Sequence, residues 1–392
     1  MIFNLLKEIE NEEHRILREA VRKFVKEKVA PRAKEIDEND EFPKDLFKEM
    51  ALLGFTGIMI PEEYGGLGDD VLSAVIVLEE ISRESPSLAL SLLAHSILCA
   101  HPIYRFGNKN QKEKYLPKLA KGEIIGGLAI TEPDAGSDAA SIKTVAREEG
   151  DRFLINGSKI FITNGEIADV LILYAKTSPE KEREGISAFI YETNSPGFSV
   201  SKKFEKLGMR GSPTASLFFD NSPCPKENIL GEKDKGFNIL VKCFEIERIT
   251  IAAISSGIAI SALEWQIKHS RERKQFGKPI GEFEMIQQKI ADNSANLEVL
   301  RTYLYFLAKN YDFNKDNRIE SASIKLLLGE LGVKISLDAI QILGGYGYTK
   351  EYPVERYLRD AKLMDIGAGT AEIMRYIIAS VVLKKYLIGT IK

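Results

Sequence analysis

The spacing of apolar residues changes twice along the 392 residues, and no other feature constrains the fold as much. Over residues 1–120 it is helical. Leu17, Val21, Phe24 and Val25 mark an amphipathic stripe that ends near Pro31. Pro43 opens a second helix at its first turn and Gly54 ends it. Segment 60–68, with Pro61, Gly65, Gly66 and Gly68, is punctuated too densely for a helix. Asp69 or Asp70 caps the next helix, through Val71, Val75, Leu78 and Ile81, and two more cover 86–104 and 109–119. From 125 to about 220 the pattern alternates, predicting short strands. These lie at 125–130, 142–147, 152–156, 159–163, 169–175, 186–192, 197–202 and 215–220. Turn signals separate them at Glu149-Gly150, Asn156-Gly157, Asn164-Gly165, Ser195-Pro196-Gly197 and Arg210-Gly211-Ser212-Pro213. Beyond Gly236 long helices return at 237–270, 283–311 and 318–343, followed by a glycine-rich break and a last helix at 371–387. This order predicts an α+β multidomain chain: an all-α domain (1–122), a β-sandwich or barrel-like domain (123–234) and a four-helix bundle (235–392).

Charge and composition exclude several classes. The net charge of −3, from 54 basic and 57 acidic residues, argues against a nucleic-acid scavenger. No run reaches the ~18 uninterrupted apolar residues of a membrane span. The nearest, 249–263, is broken by Thr250, Ser255, Ser256 and Ser261 and reads as a buried helix. The acidic, amphipathic start lacks the features of a secretory signal or an arginine-rich transit peptide. Cys99, Cys224 and Cys243 are scattered and odd in number, so no disulfide framework is expected and a reducing cytoplasm fits. His14, His95, His101 and His269 show no ligand spacing, and no metal site is predicted.

Two stretches carry the chemistry. In 126–138, Gly-Gly-Leu-Ala-Ile-Thr-Glu-Pro-Asp-Ala-Gly-Ser-Asp, a short strand runs into a loop forced by Pro133 and Gly136. Its small donors and backbone N–H groups can hydrogen-bond a flat heterocycle and pass a diphosphate close to the main chain. In 159–165, Lys-Ile-Phe-Ile-Thr-Asn-Gly, a strand ends in Phe161, Thr163 and Asn164. Together these stretches resemble the flavin-binding signatures of the acyl-CoA dehydrogenase family. Lys206–Thr214, which reads on its own as a structural hairpin, and Arg271–Pro279 match that family too, and the resemblance spans nearly the whole chain.

The resemblance implies FAD as cofactor. Thr131, Thr163 and the backbone near Leu128, Ile130 and Ile162 would meet the isoalloxazine edge, with Phe161 on its face. Gly136 and Ser137 would lie near diphosphate and substrate. Thr370 and Glu372 open the last helix, whose N–H groups favour an anion. Arg273, Gln275 and Phe276, with Gln341 to Gly345, resemble residues that reach the cofactor of a neighbouring subunit, which implies a homotetramer built as a dimer of dimers. Glu284 departs from the glutamine that relatives often carry there.

The family oxidises an acyl-CoA thioester between its α and β carbons, a carboxylate taking the α-proton. Many members carry that base in a Tyr-Glu-Gly-Thr motif near the C-terminus. Here the corresponding residues are Gly367-Ala368-Gly369-Thr370, and alanine cannot be a base. Glu247, however, falls on the stripe Leu240, Phe244, Ile251, Ile254, Ile258. A carboxylate on an apolar face is paired, open to a cavity or protonated, and burial brings its pKa towards neutrality. On the residues alone, an ion pair with Arg248 or a neighbouring helix is the better account. The resemblance reverses this, because Glu247-Arg248 falls where the isovaleryl-CoA and long-chain branches carry their base. It assigns Phe244, Arg248, Ser137, Gly367 and Ala368 to the substrate. The two small residues leave room for a branch near the β carbon, which points to isovaleryl-CoA, with long-chain acyl-CoA as runner-up and electron-transfer flavoprotein as electron partner. Two other readings remain on the same fold: an oxygen-using acyl-CoA oxidase or flavin monooxygenase, and the nucleic-acid-binding branch, which carries an extra basic C-terminal portion.

Overall fold

The computed structural model describes residues 6–68 and 70–387. The N-terminal block is helical as expected: α1 (Leu6–Ile9), α2 (Glu12–Phe24), α3 (Ala33–Asn39), α4 (Lys44–Leu52), α5 (Val71–Ser82), α6 (Pro86–His95), α7 (His101–Phe106) and α8 (Lys109–Ala120). The first helix does not stop at Pro31. The chain stays helical through a π turn (Val25–Val29) and a 3-10 turn (Ala30–Arg32) into α3, ending where Asp40 takes φ 53°. Pro31 sits in the first turn of its segment, where a missing N–H costs little. Pro43 stands at the N-cap of α4, one residue before its first turn. Asp70 caps α5, accepting from the N–H groups of Leu72 and Ser73 at 3.2 and 3.0 Å; Asp69 lies outside the described residues.

The central block is one twisted sheet. Its strands are β1 (Gly126–Ala129), β2 (Val145–Glu149), β3 (Arg152–Thr163), β4 (Val170–Lys176), β5 (Ile186–Glu192), β6 (Phe198–Val200), β7 (Thr214–Pro225) and β8 (Ile229–Leu230). The order is β6-β7-β3-β2-β4-β5-β8. β1 and β2 both run parallel to β4, with Ala129 opposite Leu173 and Val145 opposite Lys176. The segment 130–144 therefore leaves and re-enters the sheet within one short stretch of β4, so its ends are fixed while its middle is free to face a ligand. Phe153, Ile155, Leu171, Leu173, Phe189, Leu217 and Phe219, drawn from distant strands, share one core as the sheet curls over them. On the other face Ile172, Tyr174, Ile186, Ala188 and Ile190 pack against helices. Two expectations fail here. Asn156-Gly157 is not a turn, and the strands on either side are a single β3. Gly157, at φ 147°, marks a register shift against β7, and a Cβ there would lie 2.5 Å from Thr144 Oγ1. Nor is 206–214 a hairpin. It is a tether, with Arg210 Nε donating to Asp37 O at 2.6 Å, the Gly211 N–H to Asp40 Oδ1 at 2.8 Å, and the Met209 N–H to Asp360.

The C-terminal block contains α9 (Gly236–Glu272), a hairpin of β9 (Lys274–Gln275) and β10 (Lys278–Pro279), α10 (Glu284–Lys309), α11 (Arg318–Leu343), α12 (Val354–Leu363) and α13 (Ala371–Leu387). α12 falls inside the expected glycine-rich break, and its buried Val354, Tyr357 and Ala361 show why it forms. α9 is a buried helix as expected for 249–263, and the burial extends further, over every residue from Glu245 to Leu263. It is the axis of the molecule, packed by α5, α10, α11 and β5. Gly257 permits the close approach of α5: a Cβ there would lie 2.3 Å from Glu79 O. Alongside, fully buried Glu79 accepts from Arg301 Nη2 and Tyr305 Oη, both at 2.6 Å, and from Ser256 Oγ at 2.6 Å. A buried charge so paired ties α5, α9 and α10 together.

Candidate active site

The sheet side of the site is built by a bulge and a buried ion pair. Pairing of β3 with β7 slips between Lys159 and Ile162, which turns the Ile160 N–H to Thr131 O at 2.8 Å. Phe161 takes φ 59° and leaves 61% of its surface exposed, its ring 5.2 Å from that of Phe204. An aromatic residue in the left-handed region costs energy, and such strain collects at functional sites. The 130–144 loop is anchored by Lys159, whose Nζ donates to Glu132 Oε1 at 2.8 Å and to Ile130 O at 3.0 Å. Lys159 is fully buried, and burial lowers its pKa to about 8 against the pull of Glu132. Glu132 also accepts from the N–H groups of Lys143 and Thr144. Beyond this anchor Gly136 and Ser137 are exposed, and a Cβ on Gly136 would meet nothing within 4 Å. Thr131, Thr163 and Leu128 are half-buried. Ile130 and Ile162 point their side chains into the two cores, so only their main chains can face a ligand.

The helix side is built around Glu247. Its Oε2 is buried without a hydrogen-bond partner, as is Nε of Arg248, so the two do not form the ion pair that would explain both. Burial raises the Glu247 pKa to about 7, with Arg248 and Lys325 opposing. Tyr174, on β4, faces Cys243 and Glu247; burial, with those two neighbours, pushes its phenol well up, and its hydroxyl is also unpartnered. The other carboxylates nearby are committed or outside. Glu245 accepts from the Asn317 N–H at 3.3 Å and so fastens the α10–α11 loop, while Glu372 is exposed. Half-buried Phe244 lies one turn from Arg248, whose guanidinium is 5.8 Å from the ring centre. The 365–370 loop closes this side. The Ala371 N–H donates to Asp365 O at 2.9 Å, Ala368 takes φ 56° and Gly369 φ 90°. Gly367, Ala368 and Thr370 are half-buried, and Thr370 Oγ1 accepts from the Ile373 N–H at 3.3 Å at the start of α13. Fully buried Lys325 reaches across from α11 to donate to Gly369 O at 2.5 Å.

A cleft of about 620 Å³ opens at the start of α9, lined by Lys181, Arg183, Lys235 and Lys242, by the acidic Glu184 and Asp234, and by Phe237 and Val241; Lys181 is paired with Asp234 at 2.8 Å. Phe237 stands at the edge of this cleft, and Leu240, Phe244 and Glu247 follow it at steps of three and four along the helix.

The remaining predicted residues lie elsewhere. Arg273, Gln275 and Phe276 are exposed on the β9–β10 hairpin, Phe276 at 93%, and Gln341 and Gly345 are exposed at the same end of the bundle. Arg273 stacks over Tyr346 at 5.8 Å. The end of α9 is roughly 37 Å along the axis from Glu247, so within one chain these residues form a second, separate cluster. Three contributors to the first cluster carry no local signal. Lys159 sits inside a motif without showing its partner, Tyr174 reads as a core aromatic, and Lys325 lies on an apolar helix; only the long-range packing reveals them.

The chain matches the models of the acyl-CoA dehydrogenase N-terminal domain over residues 11–123, middle domain over 127–222 and C-terminal domain over 234–383. It is 45% identical to an acyl-CoA dehydrogenase of Bacillus subtilis, over 96% of this chain and 98% of the relative. It is also 45% identical to the mitochondrial isovaleryl-CoA dehydrogenase of Oryza sativa, over 94% of this chain and 90% of the relative. Butyryl-CoA dehydrogenase from Megasphaera elsdenii superposes with a TM-score of 0.93 at 38% identity, covering 98% of this chain and all of that one. The chain therefore belongs to the acyl-CoA dehydrogenase family of flavoprotein oxidoreductases.

Proposed function

We propose that this protein desaturates a branched short-chain acyl-CoA such as isovaleryl-CoA to the trans-2-enoyl-CoA, with Glu247 as the base. The observation that carries this reading is the buried Glu247 carboxyl with an unpartnered oxygen and a pKa of about 7, next to a loop whose own base position is Ala368. A base works best near the operating pH, and a dry site raises the basicity of a carboxylate to that range. Glu247 takes the α-proton of the thioester and holds it as a neutral carboxylic acid, the form that burial favours. Phe244, Arg248 and Ser137 flank the acyl thioester. Gly367 and Ala368 present little bulk, which leaves space at the β carbon. The lysines and Arg183 of the α9 cleft suit the phosphates of coenzyme A.

The residues on the sheet side fit FAD: an exposed aromatic face on Phe161, hydroxyls on Thr131, Thr163 and Ser137, an open glycine at 136, and main chain at Leu128, Ile130 and Ile162. When bound there, FAD supplies the acceptor for the β-hydrogen. Thr370 and Glu372 at the start of α13, with Arg273, Gln275, Phe276, Gln341 and Gly345 from a neighbouring subunit, complete its site in a homotetramer arranged as a dimer of dimers. An electron-transfer flavoprotein would be the electron partner. The resemblance to isovaleryl-CoA dehydrogenases supports the substrate, and the exposed Phe276 at the far end of the bundle supports the shared cofactor. The test is anaerobic flavin reduction by a panel of acyl-CoA thioesters. The expected result is a higher specificity constant for isovaleryl-CoA than for straight long chains; the reverse order would replace this substrate by a long-chain one. One methylene is worth only about 1–3 kcal/mol in an apolar pocket, so the preference is graded.

A further inference from the structure

We propose that Lys325 is a positioning residue of this site: its ammonium pins Gly369 O, fixing the loop that carries Ala368, and supplies the positive charge that faces Glu247. The inference rests on Glu247 being the base. Lysine is almost never fully buried unless paired, and Lys325 is 1% exposed. Its hydrogen bond is to a carbonyl, Gly369 O at 2.5 Å, and among the described residues it makes no ion pair. An apolar side chain of the same volume would avoid the desolvation that a buried ammonium costs. The charge instead faces Asp365 on the loop, Glu247 and Arg248 on α9, and Glu372 on α13. Asp365 Oδ2 is held by Lys362 Nζ at 2.9 Å while its Oδ1 is buried without a partner, Glu372 is exposed, and Arg248 is itself a cation. The charge therefore acts on two carboxylates with an unpartnered buried oxygen, Asp365 on the loop and Glu247 on α9, and Glu247 has Arg248, Tyr174 and Cys243 as its other polar neighbours.

The geometry gives Lys325 two separable effects. Ala368 stands in the left-handed region at φ 56°, which makes the loop costly to hold. The Lys325 bond and the Ala371 N–H to Asp365 O bond close it. Burial lowers the Lys325 pKa itself to about 8, so the amine is charged near neutrality, where it stabilises ionised Glu247 and draws that titration downward against burial.

The experiment compares holoenzyme carrying Lys325→Met, Lys325→Gln and Lys325→Arg. It reads the pH profile of flavin reduction by isovaleryl-CoA and the infrared titration of the Glu247 carboxyl, assigned by difference from Glu247→Gln. In the Met and Gln variants the Glu247 midpoint is expected to rise by about one pH unit. Reduction at pH 7 then falls roughly fivefold and recovers at higher pH. Arginine keeps the charge and keeps the midpoint close to the wild type. Gln retains a donor for the loop, so it reports the charge effect if Met fails to fold. An unchanged midpoint by infrared in either neutral variant overturns the proposal, whatever happens to the rate. Normal reduction in Glu247→Gln would instead overturn the assignment of the base itself.

Discussion

Replacing Glu247 by glutamine separates a carboxyl kept for proton transfer from one kept for structure, through stability as well as rate. Burial holds the Glu247 pKa at about 7, against an ordinary 4.5. Between those values the folded protein binds the proton and the unfolded chain does not. The stability linked to that proton is fully present below the unfolded value and is lost as pH rises through the folded one. The difference between the two values corresponds to about 3 kcal/mol. Glutamine does not titrate, so its stability relative to the wild type should improve by about that amount from weakly acidic to weakly alkaline solution, a rise of a few degrees in Tm for a chain of this size. Calorimetry at one fixed scan rate across the pH range measures this, the fixed rate being needed because large chains often unfold irreversibly. Flavin reduction in the same variant should fall by about 10²–10⁴ while FAD stays bound. A Tm difference that does not change with pH would refute the reasoning. A difference that turns against glutamine at high pH would show instead that ionised Glu247 is stabilised by Arg248.

Three further outcomes are expected. Phe161→Gly removes the left-handed strain at φ 59° and should stabilise the apoprotein by about 1 kcal/mol while weakening FAD binding, as read by melting of the apo form and by flavin titration. Arg301→Met leaves Glu79 buried without its main cation, and should cost about 3–5 kcal/mol, seen as a lowered denaturant midpoint; adding Glu79→Leu should recover part of the loss. Lys235→Glu, in the cleft at the start of α9, should raise KM for CoA thioesters in a salt-dependent way and leave kcat and the KM of a pantetheine thioester nearly unchanged.

Much of the architecture is local and so is legible in the order of residues. The helix at 318–343, the strand at 186–192 and the last helix at 371–387 have the predicted limits, because a period of 3.6 or two is carried by neighbours a few positions apart. The flavin-type loop and the carboxylate at 247 also stand out locally, as a cluster of turn residues and as a charge among aliphatics. What failed was decided by distant partners. Asn156-Gly157 serves a turn or a bulge equally well, and β7 makes it a bulge. Pro31 ends a helix unless the next segment starts on it, and 206–214 looks like a hairpin until α3 and α12 receive its hydrogen bonds. The same holds for the chemistry. Whether Glu247 is an ion-pair partner or a raised carboxyl depends on Tyr174, Lys325 and the enclosing helices, which lie far away in sequence. The pairing of Lys159 with Glu132 likewise exists only once β1 and β3 are adjacent. Periodicity is a property of a segment, whereas the free energy of a buried charge is set by every group the fold brings around it, and only the tertiary structure assembles those.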